Sequence, residues 1–228
     1  DADGKPVPFV VLERKNRARA VISEINLPGV VGVTSYRIKL YAEKLQGLSY
    51  SSYIVTPCEG KLSLAETAPE GAQNHMENEF LKVKIHENGT ICVYDIKSGK
   101  SYDHLLLLED TEYIGDAYVY HKKDGTRPIL SQNVKAGIRC VERNELGTAY
   151  EISYRISLPK CFDMAAGARS GEGVEVPIKI LLQLAKNQKY LKVSVTVDNK
   201  AEDHRLRLLF PTGIDTGTSL AGSPFDLI

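Results

Sequence analysis

Asp116 and Tyr118 are brought together by the spacing of one short loop-to-strand segment. They stand in Gly115-Asp116-Ala117-Tyr118-Val119-Tyr120, where a loop glycine leads into an alternating aromatic run, so that a loop tip and a strand start present a carboxylate and a phenol together. Acid–base cleavage of a glycosidic bond needs more: two carboxylates about 5 to 5.5 Å apart for retention, and wider for inversion. The dense acidic cluster is Glu109, Asp110, Glu112 and Asp116. Carboxylates so close in sequence are expected on a solvated face, and Glu109, Asp110 and Glu112 are read that way. Asp116 stands apart from that reading, between a loop glycine and an alternating aromatic run.

Other constellations that carry chemistry are missing or incomplete. His75, His86, His104, His121 and His204 are scattered, and none belongs to a His-x-Asp, His-Glu-x-x-His or His-x-x-x-His pattern, so a catalytic metal has no visible home. There is no Gly-x-Ser-x-Gly elbow, and the glycine-rich stretch 167–173 lacks the Lys-Ser/Thr ending of a phosphate loop. Cys58, Cys92, Cys140 and Cys161 form no Cys-x-x-Cys pair, and reduced thiols in a cytosolic protein are expected. Asn88-Gly89-Thr90 is formally a glycosylation acceptor, but Asn-Gly between two alternating runs is a hairpin signal, and the turn is the stronger reading. Arg14, Lys15, Arg17 and Arg19 form a basic cluster without interleaved aromatics, which reads as a solvated edge or turn rather than a nucleic-acid surface.

The last such segment runs from Val197 to Arg207 as a strand, a polar turn and a second strand. Asp198 and Asn199 are expected to cap the turn, and Asp203 to pair with Arg205 or Arg207. With His204, these residues read as a structural tie point.

The elements that must position them are strands. Leu81, Val83 and Ile85 alternate with lysines, then Asn88-Gly89 turns the chain into Ile91 and Val93, and Ser98-Gly99 supplies the next turn. Tyr150, Ile152, Tyr154, Ile156 and Leu158 occupy every second position, as do Ile178 to Leu184, Leu191 to Val197 and Leu206 to Phe210. Helical spacing is confined to Leu40–Gln46 and Phe162–Ala168, too short to stand without tertiary support. Strands without intervening helices argue for an all-β, antiparallel sandwich. Residues 1–60 carry strands around Val7–Leu12, Ala18–Ile25 and Ser35–Ala42 with a Leu27-Pro28-Gly29 turn. Residues 61–75 lose periodicity and read as a linker, and 76–228 form the large domain.

Composition narrows the function classes. Twenty-nine basic and 29 acidic side chains cancel over 228 residues, so no global field steers a polyanion or an acidic membrane. No apolar run approaches the roughly 20 residues of a membrane-spanning helix. No nucleic acid and no membrane are therefore expected as partners. The first residue is Asp1 rather than Met, and an excised piece of a longer protein is expected.

Met76 to Val83, Asn88-Gly89-Thr90, Tyr94-Asp95 and Lys97-Ser98-Gly99 resemble the opening of the C-terminal β domain of glycoside hydrolase family 38, the α-mannosidases. Gly115 to Tyr118, Asp198-Asn199 through Arg207, and Phe210-Pro211-Thr212-Gly213 resemble its later motifs. The resemblance implies a galactose-mutarotase-like supersandwich, truncated at its C-terminus, within a retaining α-mannosidase. It implies a zinc-type divalent metal held by two His and two Asp of an N-terminal catalytic region, and no catalytic residue or cofactor in these 228 residues. It also implies that Tyr118 projects into the sugar site and hydrogen-bonds the bound mannose, with Asp116 as a weaker candidate, and that the partners are the protein's own catalytic region and a mannose-containing glycan or small mannoside. A cytoplasmic setting is expected and a homo-oligomer is left open. The alternatives are a stand-alone carbohydrate-binding or interaction sandwich without chemistry, and an aldose mutarotase.

Overall fold

A computed structural model describes residues 3–22, 25, 27–42, 45–57, 74–116, 118–224 and 226–227. The linker expected over 61–75 lies outside these residues through position 73, as do Cys58 and Ala117. The chain opens with two long strands, β1 (Phe9–Val21) and β2 (Gly29–Leu40), paired antiparallel as a ribbon. Three shorter strands were expected here. The two N-terminal segments are instead one strand, because backbone pairing continues through the basic cluster: Arg14 opposes Tyr36, Arg17 opposes Val33 and Arg19 opposes Val31. The cluster is exposed in mid-strand, with the Arg14 guanidinium 5.9 Å from the Tyr36 ring centre. Lys39 ties the ribbon to the rest of the molecule through Glu142, 2.7 Å away.

Next come β3 (His75–Glu77), β4 (Leu81–Ile85), β5 (Ile91–Asp95) and β6 (Lys100–Leu105), which form one antiparallel sheet in that order. The β4–β5 hairpin turns at Asn88-Gly89. The Asn88 Oδ1 accepts the Thr90 amide at 3.1 Å and the Thr90 hydroxyl at 2.8 Å, while Gly89 takes φ +75°. The Asn88 amide nitrogen donates to the Gln132 carbonyl at 3.1 Å, so its side chain is committed to the turn.

After β6 follow β7 (Leu107–Glu112), β8 (Ile129–Leu130), β9 (Gly137–Asn144), β10 (Gly147–Pro159), β11 (Phe162–Asp163), β12 (Ala168–Arg169), β13 (Gly173–Ala185), β14 (Lys192–Val197) and β15 (His204–Leu209). They build a sheet of order β14-β13-β10-β9 and a smaller one of order β15-β7-β8. The four-stranded β10 sheet makes one layer, and the β3–β6 and β15-β7-β8 sheets cover it. Met76, Val83, Ile91 and Leu108 interlock there with Tyr150, Ile152, Ile178, Ile180 and Leu182. Period-2 alternation creates that face, and burying each Leu or Ile contributes about 1.5–3 kcal/mol. At the β14 edge the same face is incompletely covered. Val195 and Val197 lie opposite the fully buried Ile180 and Ile178, yet remain 42% and 38% exposed.

Neither stretch of helical spacing forms a helix among the described residues, as their shortness implied. Leu40 ends β2, and residues 45–50 are irregular. Residues 162–169 make a β11–β12 hairpin, because the Asp163 carboxylate accepts the Ala165 and Ala166 amides at 2.9 and 3.0 Å and Gly167 turns the chain with φ +61°. Such local side-chain bonding competes with a helix and wins in a segment of one or two turns. Cys92, Cys140 and Cys161 are free, half-buried thiols.

Candidate functional site: a braced tyrosine loop

β7 delivers the chain into the loop that carries Tyr118. The Asp116 carboxylate folds back over this loop, its Oδ1 accepting the Tyr118 and Val119 amides at 2.8 Å each. Those two bonds hold the carboxyl below its ordinary value, with His121 adding a smaller electrostatic contribution. Asp116 therefore shapes the loop. Gly115 is needed for close approach, since a Cβ there would run into the Val119 carbonyl and lie 3.0 Å from the His121 nitrogen. The Ile114 amide closes the loop base on the His121 carbonyl at 2.9 Å. At the tip Tyr118 is 94% exposed, with its backbone fixed and its ring in solvent.

Because Asp116's folded-state value lies below the ordinary 3.8, its capping bonds are complete above the usual carboxylate range and are lost only as pH falls through the lower folded value. The Tyr118 and Val119 amide proton shifts, followed through an acid titration, are expected to show an inflection below pH 3.8. An inflection at or above that value would show that the cap is not formed.

Behind the loop lies a buried polar cluster. Asp110 and Glu112, read from sequence as solvated, are 2% and 1% exposed. They are buried because β7 is the central strand of its sheet and their partners arrive from distant segments. Asp110 receives the Arg169 guanidinium on Oδ1 and the His204 Nδ1 on Oδ2, the latter at 2.5 Å. Burial pushes the Glu112 carboxyl up, but the Thr126 hydroxyl, its own and the Lys123 amide, and the Arg169 charge together bring it below its ordinary value. Glu109 pairs with Arg207, whose Nε lies 2.9 Å away.

The tie-point residues sit beside this cluster. Asn199 Oδ1 accepts the Ala201 amide at 3.2 Å and lies 2.9 Å from the His204 Nε2, so both His204 ring nitrogens face acceptor oxygens. Asp198 meets Lys200 at 3.2 Å. Asp203 pairs with neither arginine expected for it. Its Oδ2 accepts the Phe162 amide at 3.2 Å, while Arg207 is taken by Glu109 and Arg205 stacks 4.4 Å from the Tyr120 ring centre. Sequence reasoning passed over Tyr113, Tyr120 and Arg169. Only the density of tyrosines around Gly115 could have pointed to the first two.

No group of three or more His, Cys, Asp or Glu among the described residues could hold a metal ion. The metal implied by the family resemblance therefore finds no ligand set there.

The antiparallel β-sandwich architecture recurs in known proteins. Residues 76–228 match the family profile described as the glycosyl hydrolases family 38 C-terminal domain, and the chain belongs to that family. A putative mannosylglycerate hydrolase of Halalkalibacterium halodurans is 32% identical over 198 residues, covering 79% of this chain and 22% of that protein. The crystal structure of an α-mannosidase from Enterococcus faecalis V583 superposes with TM-score 0.81 at 28% identity, covering 98% of this chain and 27% of that one. A second Enterococcus faecalis structure of a family 38 protein gives TM-score 0.82 at 28% identity, covering 100% of this chain and 28% of that one. The chain thus spans about a quarter of the length of these relatives.

Proposed function

We propose that this chain is the non-catalytic β region of a retaining, metal-dependent α-mannosidase. It scaffolds a catalytic region elsewhere in the protein, which holds the metal, and lends Tyr118 to the sugar pocket. Residues 1–60 and 76–228 are its small and large β parts, joined by 61–75. The isolated chain carries no hydrolysis of its own. The substrate is a mannose-containing glycan or a small mannoside; the name of the Halalkalibacterium relative supports the latter. The free thiols favour a cytoplasmic setting.

One observation carries the pocket role: a phenol 94% exposed on a loop whose backbone is fixed at both legs. Exposing a large aromatic ring on a rigid loop suits a side chain that meets a ligand, and its hydroxyl can donate to or accept from a sugar hydroxyl. In the full-length enzyme, Tyr118→Phe is expected to raise KM for an aryl α-mannoside by roughly five- to tenfold, the factor for one hydrogen bond, with the thermal midpoint unchanged. Unchanged turnover and unchanged KM would sink the pocket role.

A further inference from the structure

The Tyr118 loop is held from within by a neighbouring tyrosine. Tyr113 follows directly on β7, and its amide donates to the Asp203 carbonyl at 2.8 Å, which anchors its backbone to the start of β15. Its ring packs on Tyr120 with centroids 5.4 Å apart and planes tilted by 40°. Tyr120 is itself fixed, with its hydroxyl 2.9 Å from the Thr111 Oγ1 and the Arg205 guanidinium 4.4 Å from its ring centre. From this support the Tyr113 hydroxyl faces two carbonyl oxygens, that of Asp116 and that of Val119, the latter at 3.2 Å. These carbonyls bracket Tyr118 in the chain. The Asp116 carboxylate binds the amides between them, so the tip is gripped by its carbonyls from one side chain and by its amides from another.

We propose that Tyr113 is the positioning residue for Tyr118: its phenol proton, shared between the two flanking carbonyls, keeps the loop in the one conformation that presents Tyr118. Without it the loop samples other arrangements, and apparent affinity falls in proportion to the fraction still competent. This inference rests on the pocket role proposed for Tyr118.

Tyr113→Phe removes the hydroxyl and keeps the ring on Tyr120. In the full-length enzyme it is expected to raise KM for an aryl α-mannoside roughly three- to tenfold, with kcat within about twofold and the thermal midpoint unchanged. In a Tyr118→Phe background the same change should alter KM by no more than about twofold, because its effect travels through Tyr118. Independently of any sugar, amide hydrogen exchange at Tyr118 and Val119 should accelerate roughly tenfold in Tyr113→Phe. Penalties that multiply in the double variant, or unchanged exchange at those amides, overturn the positioning role. If Tyr118→Phe alone changes nothing, the pocket role fails, and the exchange measurement still decides whether Tyr113 holds the loop.

Discussion

Gly89→Ala is expected to destabilise the sandwich by about 3 kcal/mol. Two separate costs meet at this turn. Gly89 has φ +75°, and placing an L side chain in the left-handed region costs about 1–2 kcal/mol. A Cβ there would also run into the Tyr154 hydroxyl, 2.6 Å from Cζ and 2.8 Å from the Ile152 Cγ2. Those neighbours cannot swing aside. Tyr154 is buried in β10, its hydroxyl donates to the Asn88 carbonyl at 3.0 Å, and burial raises its phenol well above the ordinary range. Forcing extra volume into such a core costs about 1–3 kcal/mol. The expected fall in thermal midpoint is about 6–12 °C for a chain of this size, read by circular dichroism. Gly99→Ala is the matched control, since Gly99 has φ +69° but open space where a Cβ would go, and about 1 kcal/mol is expected there. Equal midpoints for the two variants would show that the contact with Tyr154 costs nothing.

Asp110→Leu is expected to cost about 3–5 kcal/mol, the penalty for stranding a buried charge. The Arg169 guanidinium is 15% exposed, and its Nη1 already lacks a hydrogen-bond partner. Removing Asp110 takes away its closest carboxylate and leaves the His204 Nδ1 unpaired as well. Because the cluster connects β7, β12 and β15, the damage should spread to the Tyr118 loop. Adding Arg169→Met to Asp110→Leu should recover a large part of the loss, since an apolar replacement of both partners removes the stranded charge. Denaturant unfolding of the single and double variants checks this. A double variant no more stable than Asp110→Leu alone would refute the charge argument.

The strands of the core were legible because period-2 alternation survives wherever one face is buried, as in Tyr150 to Leu158 and Ile178 to Leu184. Asn88-Gly89 and Ser98-Gly99 were legible because the turns need positive φ at the glycines, and both glycines have it. The acidic run was misread for a physical reason. What buries Asp110 and Glu112 is compensation by Arg169 and His204, 59 and 94 residues from Asp110, and no local pattern announces a partner that distant. The same limit applies to Asp203, whose acceptor duty falls to the Phe162 amide 41 residues away. The helical spacing at 162–168 gives way to a hairpin because the Asp163 carboxylate binds the Ala165 and Ala166 amides, and so short a segment cannot compete with that local bonding. At the loop, the family resemblance nominated Tyr118 and, more weakly, Asp116, but that Asp116 shapes the loop and Tyr118 faces outward follows only from the geometry.

The uncovered edge at β14 bears on how the chain behaves in a tube. Lys192-Val193-Ser194-Val195-Thr196-Val197 is six residues of high β propensity with one charge and no proline or glycine, and β14 has a neighbour on one side only among the described residues. Its free backbone groups and half-exposed valines make a template on which an identical strand can add, the first step of edge-to-edge aggregation. A segment that covered this strand would act as a gatekeeper against self-assembly. Such strand addition is concentration-dependent, so the chain would resist it best in dilute solution.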